Sequence, residues 1–116
     1  MGITMATVTL VGGSRETSAE LVVDIGSVLT WVRRNRLEGI GAKARREKDF
    51  RTIEGRIVRR KTGALTIRYD GAEADIEVVF GDESDAEMLG VTALEGLGFQ
   101  VDPHTRELRR SSLLAL

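Results

Sequence analysis

The sequence predicts an all-β domain, a sandwich or a barrel with one short helix, and three observations support this prediction. Thirteen glycines lie between short apolar runs, which is typical of strands joined by tight turns. Residues 64–69 and 74–80 alternate apolar and polar side chains on either side of Asp70-Gly71, as the strands of a hairpin do. Helical spacing occurs only in residues 85–97. A chain of 116 residues can bury one modest core, so we expect a single domain over residues 1–116.

The N-terminal half contains three predicted strands. Residues 4–11 are rich in β-branched side chains, which favour a strand. Residues 19–24 form a short, mostly buried strand that we expect to pair with the first one as a hairpin. Residues 28–32 are also expected to be extended. The segment 33–44 fits either a loop or a helical turn, because two glycines interrupt it.

The C-terminal half adds the remaining strands and the helix. Residues 50–53 and 56–58 flank Glu54-Gly55, where glycine permits the positive φ of a tight hairpin turn. Residues 99–101 and 107–108 are expected to form two further short strands. Gly98 is a natural C-terminal cap for the helix. The helix itself is predicted from apolar residues three positions apart: Met88, Val91, Leu94 and Leu97. The total is seven or eight strands and one helix.

The composition is that of an ordinary globular protein, with 41% hydrophobic and 30% charged residues. The chain has no cysteine, which excludes disulfides and thiolate metal sites and is compatible with a reducing compartment. No apolar stretch approaches the roughly 18 residues that span a bilayer. We therefore expect a cytoplasmic protein that does not associate with membranes.

The net charge of −1 hides a segregation of charge along the chain. Residues 33–61 carry twelve of the seventeen basic side chains, whereas residues 70–95 carry nine acidic side chains and no basic one. The basic segment fits either a surface for a polyanion or a solvated face that pairs with the acidic segment of the same fold. Only one aromatic residue, Phe50, lies among these bases, and no nucleic-acid motif accompanies them. Binding to nucleic acid is therefore not expected.

One acidic residue, Asp24, stands directly after the apolar run 19–23 and enters a turn that contains Gly26 and Ser27. A carboxylate at the end of a hydrophobic strand is costly to bury without a partner. Such a residue either caps the turn through hydrogen bonds or takes part in chemistry. The Asp-x-Gly motif alone is common and leaves both interpretations open.

Three segments, in order, resemble the retroviral-type (retropepsin-like) aspartic proteases, and more closely the small stand-alone aspartyl protease-like proteins of prokaryotes. Residues 21–27 resemble the hydrophobic strand and Asp-Thr-Gly loop of that family. Residues 50–58 resemble its flap hairpin. Residues 88–98 resemble its later glycine-containing strand and helix, with Leu89-Gly90 as the structural glycine motif. The resemblance covers about residues 4–110.

The resemblance implies a retropepsin-like acid protease barrel and an aspartic endopeptidase, which hydrolyses peptide bonds with a water molecule activated by aspartate. Such a site needs two aspartates. Each chain supplies only Asp24, so a homodimer is implied in which the two copies meet at the two-fold axis. The active-site loop would be completed by Ile25, Gly26 and Ser27, and the flap that covers the substrate by Ile53, Glu54, Gly55 and Arg56.

The same resemblance implies a peptide or protein substrate. It also implies a reaction that needs no metal and no organic cofactor. Residues 111–116 end in an apolar tail, for which a dimer-interface strand and simple disorder are equally acceptable interpretations.

Ile25 departs from the family, in which Thr or Ser at that position makes a buried hydrogen bond across the dimer. Isoleucine has no hydroxyl group, and each lost hydrogen bond is worth about 1 kcal/mol. The alternative function is therefore a catalytically weakened or inactive module of the same fold that binds peptides or protein partners.

Overall fold

The computed structural model describes residues 3–111, which form nine strands and two helices. In chain order these elements are β1 (Met5–Val11), β2 (Glu16–Val23), β3 (Thr30–Arg33), α1 (Arg34–Gly39), β4 (Ala44–Arg51), β5 (Ile57–Tyr69), β6 (Ala72–Gly81), β7 (Met88–Leu89), α2 (Val91–Leu97), β8 (Phe99–Val101) and β9 (Leu108–Arg110).

Seven of the strands form one sheet in the order β1-β2-β7-β3-β6-β5-β4, and β1 also pairs with β5. Neighbouring strands are antiparallel except for β2–β7 and β3–β6, which are parallel. Strands β8 and β9 form a separate two-stranded sheet. The short strand β7 lies between β2 and β3, with Val23 opposite Leu89. The chain that leaves β2 therefore emerges beside the chain that leaves β7.

A single hydrophobic core holds the domain together. Side chains alternate between the two faces of β1 and β2, and one face of each strand points into this core. Helix α2 covers the core with Ala93, Leu94 and Leu97. Full burial of a Leu or Ile side chain contributes about 1.5–3 kcal/mol. The side chains of this size that are fully buried are Leu10, Leu21, Leu37, Ile67 and Leu89.

The prediction of a mostly-β single domain is confirmed by this arrangement. Two predicted hairpins are present as β1–β2 and β5–β6, and the second turns at Asp70-Gly71 as expected. Gly98 ends α2 in the left-handed conformation with φ of 79°, as the sequence indicates. Local alternation and glycine placement were sufficient to locate these elements.

The prediction of one helix is wrong in two respects. Within residues 33–44, which fit either a loop or a helical turn, residues 34–39 form a second helix, α1, and bury Leu37. The helix predicted over 85–97 begins only at Val91, because Met88 and Leu89 pair with β2 and β3 as strand β7. Neither helix in residues 3–111 is long and apolar enough to cross a membrane.

The hairpin predicted around Glu54-Gly55 is present but larger than expected. Its first strand, β4, begins at Ala44, and its turn covers residues 52–56 rather than two residues. The start of β4 could not be predicted from the sequence, because most residues of this strand are charged and show no alternation of apolar and polar side chains. Of residues 111–116, which fit either an interface strand or disorder, only Ser111 belongs to the described part of the chain.

The basic segment 33–61 and the acidic segment 70–95 meet in the fold. Four ion pairs join them: Arg36–Glu87 at 3.0 Å, Lys48–Glu77 at 2.8 Å, Arg60–Asp85 at 2.8 Å and Arg60–Asp82 at 3.4 Å. These basic side chains therefore pair with the acidic segment of the same fold, which is one of the two interpretations of the charge segregation.

Candidate active site

Asp24 follows the last residue of β2 and begins a tight turn. Its backbone N–H donates to the carbonyl oxygen of Leu89 at 3.0 Å, which continues the β2–β7 pairing by one residue. Its Oδ1 accepts from the N–H of Gly26 at 2.9 Å, and its carbonyl oxygen accepts from the N–H of Ser27 at 3.1 Å. The side chain thus caps its own turn while the residue stays partly exposed to solvent. Asp24 therefore caps its turn, as one of the two interpretations expects, and its carboxylate is still partly accessible to solvent.

The loop after Asp24 is locked onto the Leu89-Gly90 segment. The buried hydroxyl of Thr30 accepts from the N–H of Gly90 at 3.0 Å. A Cβ atom at Gly90 would overlap the carbonyl oxygen of Leu29 and lie 2.9 Å from that of Ser27. Only glycine permits such close packing of two backbones. The two motifs that the sequence singled out, Asp24–Ser27 and Leu89-Gly90, therefore lie in direct contact.

The start of α2 strengthens this contact. The N–H groups of Val91 and Thr92 donate to the carbonyl oxygens of Ser27 and Val28 at 2.8 and 3.1 Å. The Thr92 hydroxyl donates to the same Val28 oxygen at 2.8 Å. First-turn amides of a helix have no partner within the helix, so the loop supplies partners that they need. The loop that carries Asp24 is consequently also fixed by hydrogen bonds from the first turn of α2.

Exposed apolar side chains lie near Asp24 along the chain and across the β1–β2 ladder. Ile25 and Val28 on its loop are 68% and 65% exposed. Met5 and Val22, which face each other across the β1–β2 ladder, are also exposed. Within residues 3–111, every exposed large hydrophobic residue lies at this end of β1 and β2, on this loop or around the β4–β5 turn. The set comprises Ile3, Met5, Val22, Ile25, Val28, Ile53 and Ile57. We call the first five the Asp24 surface.

The four predicted flap residues all lie in the β4–β5 turn. Thr52 closes this turn, because its N–H donates to the Arg56 carbonyl oxygen at 2.8 Å and its hydroxyl accepts from the Arg56 N–H at 3.1 Å. Gly55 adopts φ of 89°, a conformation that favours glycine. Ile53 projects fully into solvent at the tip. An apolar side chain that is fully exposed within residues 3–111 is suited to meet another molecule.

A cavity of about 400 Å³ lies between the β4–β5 hairpin and the segment that leads into β7. Its apolar part is built from Trp31, Phe50, Val58, Ala86 and Met88. The rings of Trp31 and Phe50 pack edge to face with 5.0 Å between their centroids. Met88 is the register partner of Val22, two residues before Asp24. The cavity is therefore adjacent to the strand that delivers the carboxylate.

An ion pair connects the two sides of this cavity. Arg60 of β5 donates to Asp85 through Nε at 2.8 Å and through Nη2 at 3.2 Å, and both side chains are less than one-fifth exposed. The Arg60 hydrogen bond lowers the pKa of the Asp85 carboxyl below its usual value. The carboxyl therefore stays ionised at neutral pH and holds residues 82–87 against the hairpin.

Glu87 fixes the other end of the same segment. It accepts two hydrogen bonds from the Arg36 guanidinium at 3.1 and 3.0 Å, and one from the Arg33 N–H at 3.0 Å. Burial by itself raises the pKa of Glu87, but these donors outweigh it, so the pKa lies below its usual value. Asp85 and Glu87 thus each form an ion pair with an arginine.

The structure brings some of the predicted site residues together and adds others that sequence reasoning missed. Asp24, Ile25, Gly26 and Ser27 form one turn, and Leu89-Gly90 packs against their loop. The cavity and its Arg60–Asp85 pair were not predicted, because the two residues are 25 positions apart and no local pattern links them.

In comparisons with known proteins, no family model matches this chain, and no curated protein matches it significantly.

Proposed function

We propose that the chain is a retropepsin-like aspartic endopeptidase that acts as a homodimer, with one Asp24 from each subunit in a shared site. The observation that carries this proposal is the Asp24 surface, which presents an accessible carboxylate on a rigid loop among exposed apolar side chains. The barrel is part of the proposal and is supported by the pairing of β1 with both β2 and β5.

The two-fold symmetry of a homodimer solves the problem that each chain offers one such carboxylate. In an isologous dimer, any group on the axis meets its own copy. Covering Ile25, Val28 and Met5 by a second copy would also remove apolar surface from water, at about 25 cal/mol per Å². Two carboxylates held close together repel each other, so the pair retains one proton.

Peptide hydrolysis then requires only this pair and a water molecule. The ionised Asp24 takes a proton from the water as its oxygen attacks the scissile carbonyl carbon, while the protonated Asp24 donates its proton to the carbonyl oxygen. The tetrahedral intermediate collapses when the C–N bond breaks. The leaving nitrogen receives the proton that the first Asp24 took from the water, and the second Asp24 takes a proton back from a hydroxyl of the intermediate, which restores the starting pair. The hydrogen bond from the Gly26 N–H to Oδ1 would hold the carboxylate in place throughout.

The β4–β5 hairpin supplies the cover for the substrate in this proposal. Its exposed tip, with Ile53 and Ile57, would close over an extended peptide and exclude water from the site. The cavity beside Trp31 and Phe50 would receive one substrate side chain.

The test measures cleavage of an unfolded protein by the native chain at pH 3 to 7, over chain concentrations from nanomolar to high micromolar. Because the site needs two chains, we expect the rate per chain to rise with concentration and to level off as sedimentation shows complete dimer. Cleavage by a monomer with a constant rate per chain would contradict the shared site. A protein that stays monomeric and inactive throughout would contradict the whole proposal.

A second candidate function is peptide binding without cleavage. It is favoured by Ile25, which lacks the hydroxyl group that the resemblance to aspartic proteases implies at this position. Because Ile25 is 68% exposed, the variant Ile25→Thr should fold normally. A hydroxyl in each subunit would add two hydrogen bonds of about 1 kcal/mol each at the dimer axis, which together correspond to about thirtyfold tighter association. At chain concentrations where the dimer is incomplete, the cleavage rate should rise with the dimer population.

The matched control for this prediction is Val28→Thr, because Val28 lies on the same loop and is 65% exposed. It should not raise the cleavage rate, because it removes apolar surface from the proposed interface as Ile25→Thr does but supplies no hydroxyl at the dimer axis. Inactivity of both the native chain and Ile25→Thr would favour the binding module over the peptidase.

A further inference from the structure

We infer that the cavity beside the β4–β5 hairpin selects peptides in which a large apolar side chain is flanked by acidic ones. This inference rests on the proposed function, because it assigns a substrate class to the same site. It is carried by the charges at the rim of the cavity, which the resemblance to aspartic proteases does not specify.

The apolar part of the cavity fits one large side chain. Trp31 and Phe50 form an edge-to-face pair on one side, and Met88 lies on the strand next to β2. A volume of about 400 Å³ falls within the range of small ligand pockets. An aromatic or long aliphatic side chain would therefore leave water here, while the backbone on either side of it remains at the rim.

The rim carries more positive than negative charge. Three arginines line the cavity, Arg51, Arg56 and Arg60, against a single acidic residue, Asp85. Arg60 is already committed, because its guanidinium bonds to Asp85 through two nitrogens and to the Arg59 carbonyl oxygen through the third.

Arg51 and Arg56 are the two cations that remain for a ligand. Both are exposed, and within residues 3–111 neither makes an ion pair. Arg51 ends β4 and Arg56 ends the turn, so they stand at the two ends of the five-residue turn. A guanidinium group offers planar paired donors that match a carboxylate. A peptide whose apolar side chain enters the cavity would place its neighbouring side chains near these donors.

Arg59 provides an internal comparison on the same hairpin. It lies opposite Asp49 in the β4–β5 ladder and bonds to that residue at 2.9 Å. Arg59 does not line the cavity, because side chains alternate along β5 and its neighbours Val58 and Arg60 do. Its removal changes the charge of the hairpin by the same amount as removal of one rim arginine, without touching the rim.

The test measures binding of two synthetic peptides to the Asp24→Asn variant, in which hydrolysis is blocked. One peptide has a central Glu-Phe-Glu and its twin has Gln-Phe-Gln. Trp31 is the only tryptophan in the chain and lines the cavity, so its fluorescence reports binding. We expect the acidic peptide to bind about fivefold more tightly at low salt, and the difference to shrink as salt screens the exposed charges.

The variants identify the origin of this preference. The double variant Arg51→Gln/Arg56→Gln should bind both peptides equally, whereas Arg59→Gln should keep the preference. Equal binding by the Asp24→Asn variant, no binding of either peptide, or a preference that survives the double variant would each overturn the inference.

Parallel cleavage of the two peptides by the native chain separates the two proposals. A preference in binding without any cleavage would contradict the peptidase and leave the inference standing. Cleavage of both peptides at equal rates would contradict the inference and leave the peptidase standing.

Discussion

Replacing Asp24 by asparagine is expected to abolish peptide cleavage and to leave the fold unchanged. Asparagine has nearly the same shape, and its side-chain oxygen can still accept from the Gly26 N–H that lies 2.9 Å from Oδ1. It cannot take a proton from water. General acid–base catalysis contributes about 10²- to 10⁴-fold to a rate, and the substitution removes it from both subunits at once. The measurement is kcat/KM on an unfolded protein substrate, with thermal unfolding recorded for the same samples.

The matched control is Asp49→Asn, which makes the same chemical change on an exposed aspartate of β4 that pairs with Arg59. This variant should retain cleavage, because Asp49 neither lies in the Asp24 loop nor lines the cavity. Persistence of native activity in Asp24→Asn would refute the assignment of the carboxylate. Loss of activity in both variants would point instead to an effect of charge.

Replacing Gly90 by alanine is expected to lower the free energy of unfolding by about 3 kcal/mol, at the upper end of the usual cost of overpacking. The added methyl group would meet the carbonyl groups of Leu29 and Ser27, which are backbone atoms that cannot rotate aside. The Asp24 loop would have to move, and with it the hydrogen bond from the Gly90 N–H to Thr30. Urea unfolding measures the loss of stability, and the cleavage assay measures displacement of the loop.

The matched control is Gly39→Ala, at the last residue of α1. A methyl group there would meet nothing within 4 Å, so the substitution should stabilise the helix by roughly 0.5–1 kcal/mol or leave stability unchanged. If Gly90→Ala proved as harmless as Gly39→Ala, the packing of the two motifs against each other would not limit stability.

Part of the candidate site could be predicted from the sequence because its signals are local. Asp24 stands between an apolar run and a glycine, and the structure places it in a hydrogen-bonded turn at the end of β2. Gly90 was singled out by its motif alone. Its packing against Leu29 could not be predicted, because 61 positions separate the two residues and only the folded chain brings them together.

The acidic segment after β6 shows why the rest of the site escaped prediction. Asp82, Asp85 and Glu87 form an acidic cluster in the sequence, and nothing local indicates which bases they meet. In the fold, Arg60 reaches Asp85 from the hairpin and Arg36 reaches Glu87 from α1. Such pairs depend on which strands become neighbours, and that order is set by the packing of the whole core.

By itself, the sequence determined the elements whose signals lie within a few residues. These are the hairpin that turns at Asp70-Gly71 and the helix that ends at Gly98, since alternation and the φ freedom of glycine act locally. Only the tertiary structure decided that Met88 and Leu89 form a strand rather than a helical turn, because they gain pairing with β2 and β3. It also decided that Ile25 is exposed, because exposure depends on which distant segments cover a loop and none in residues 3–111 covers this one.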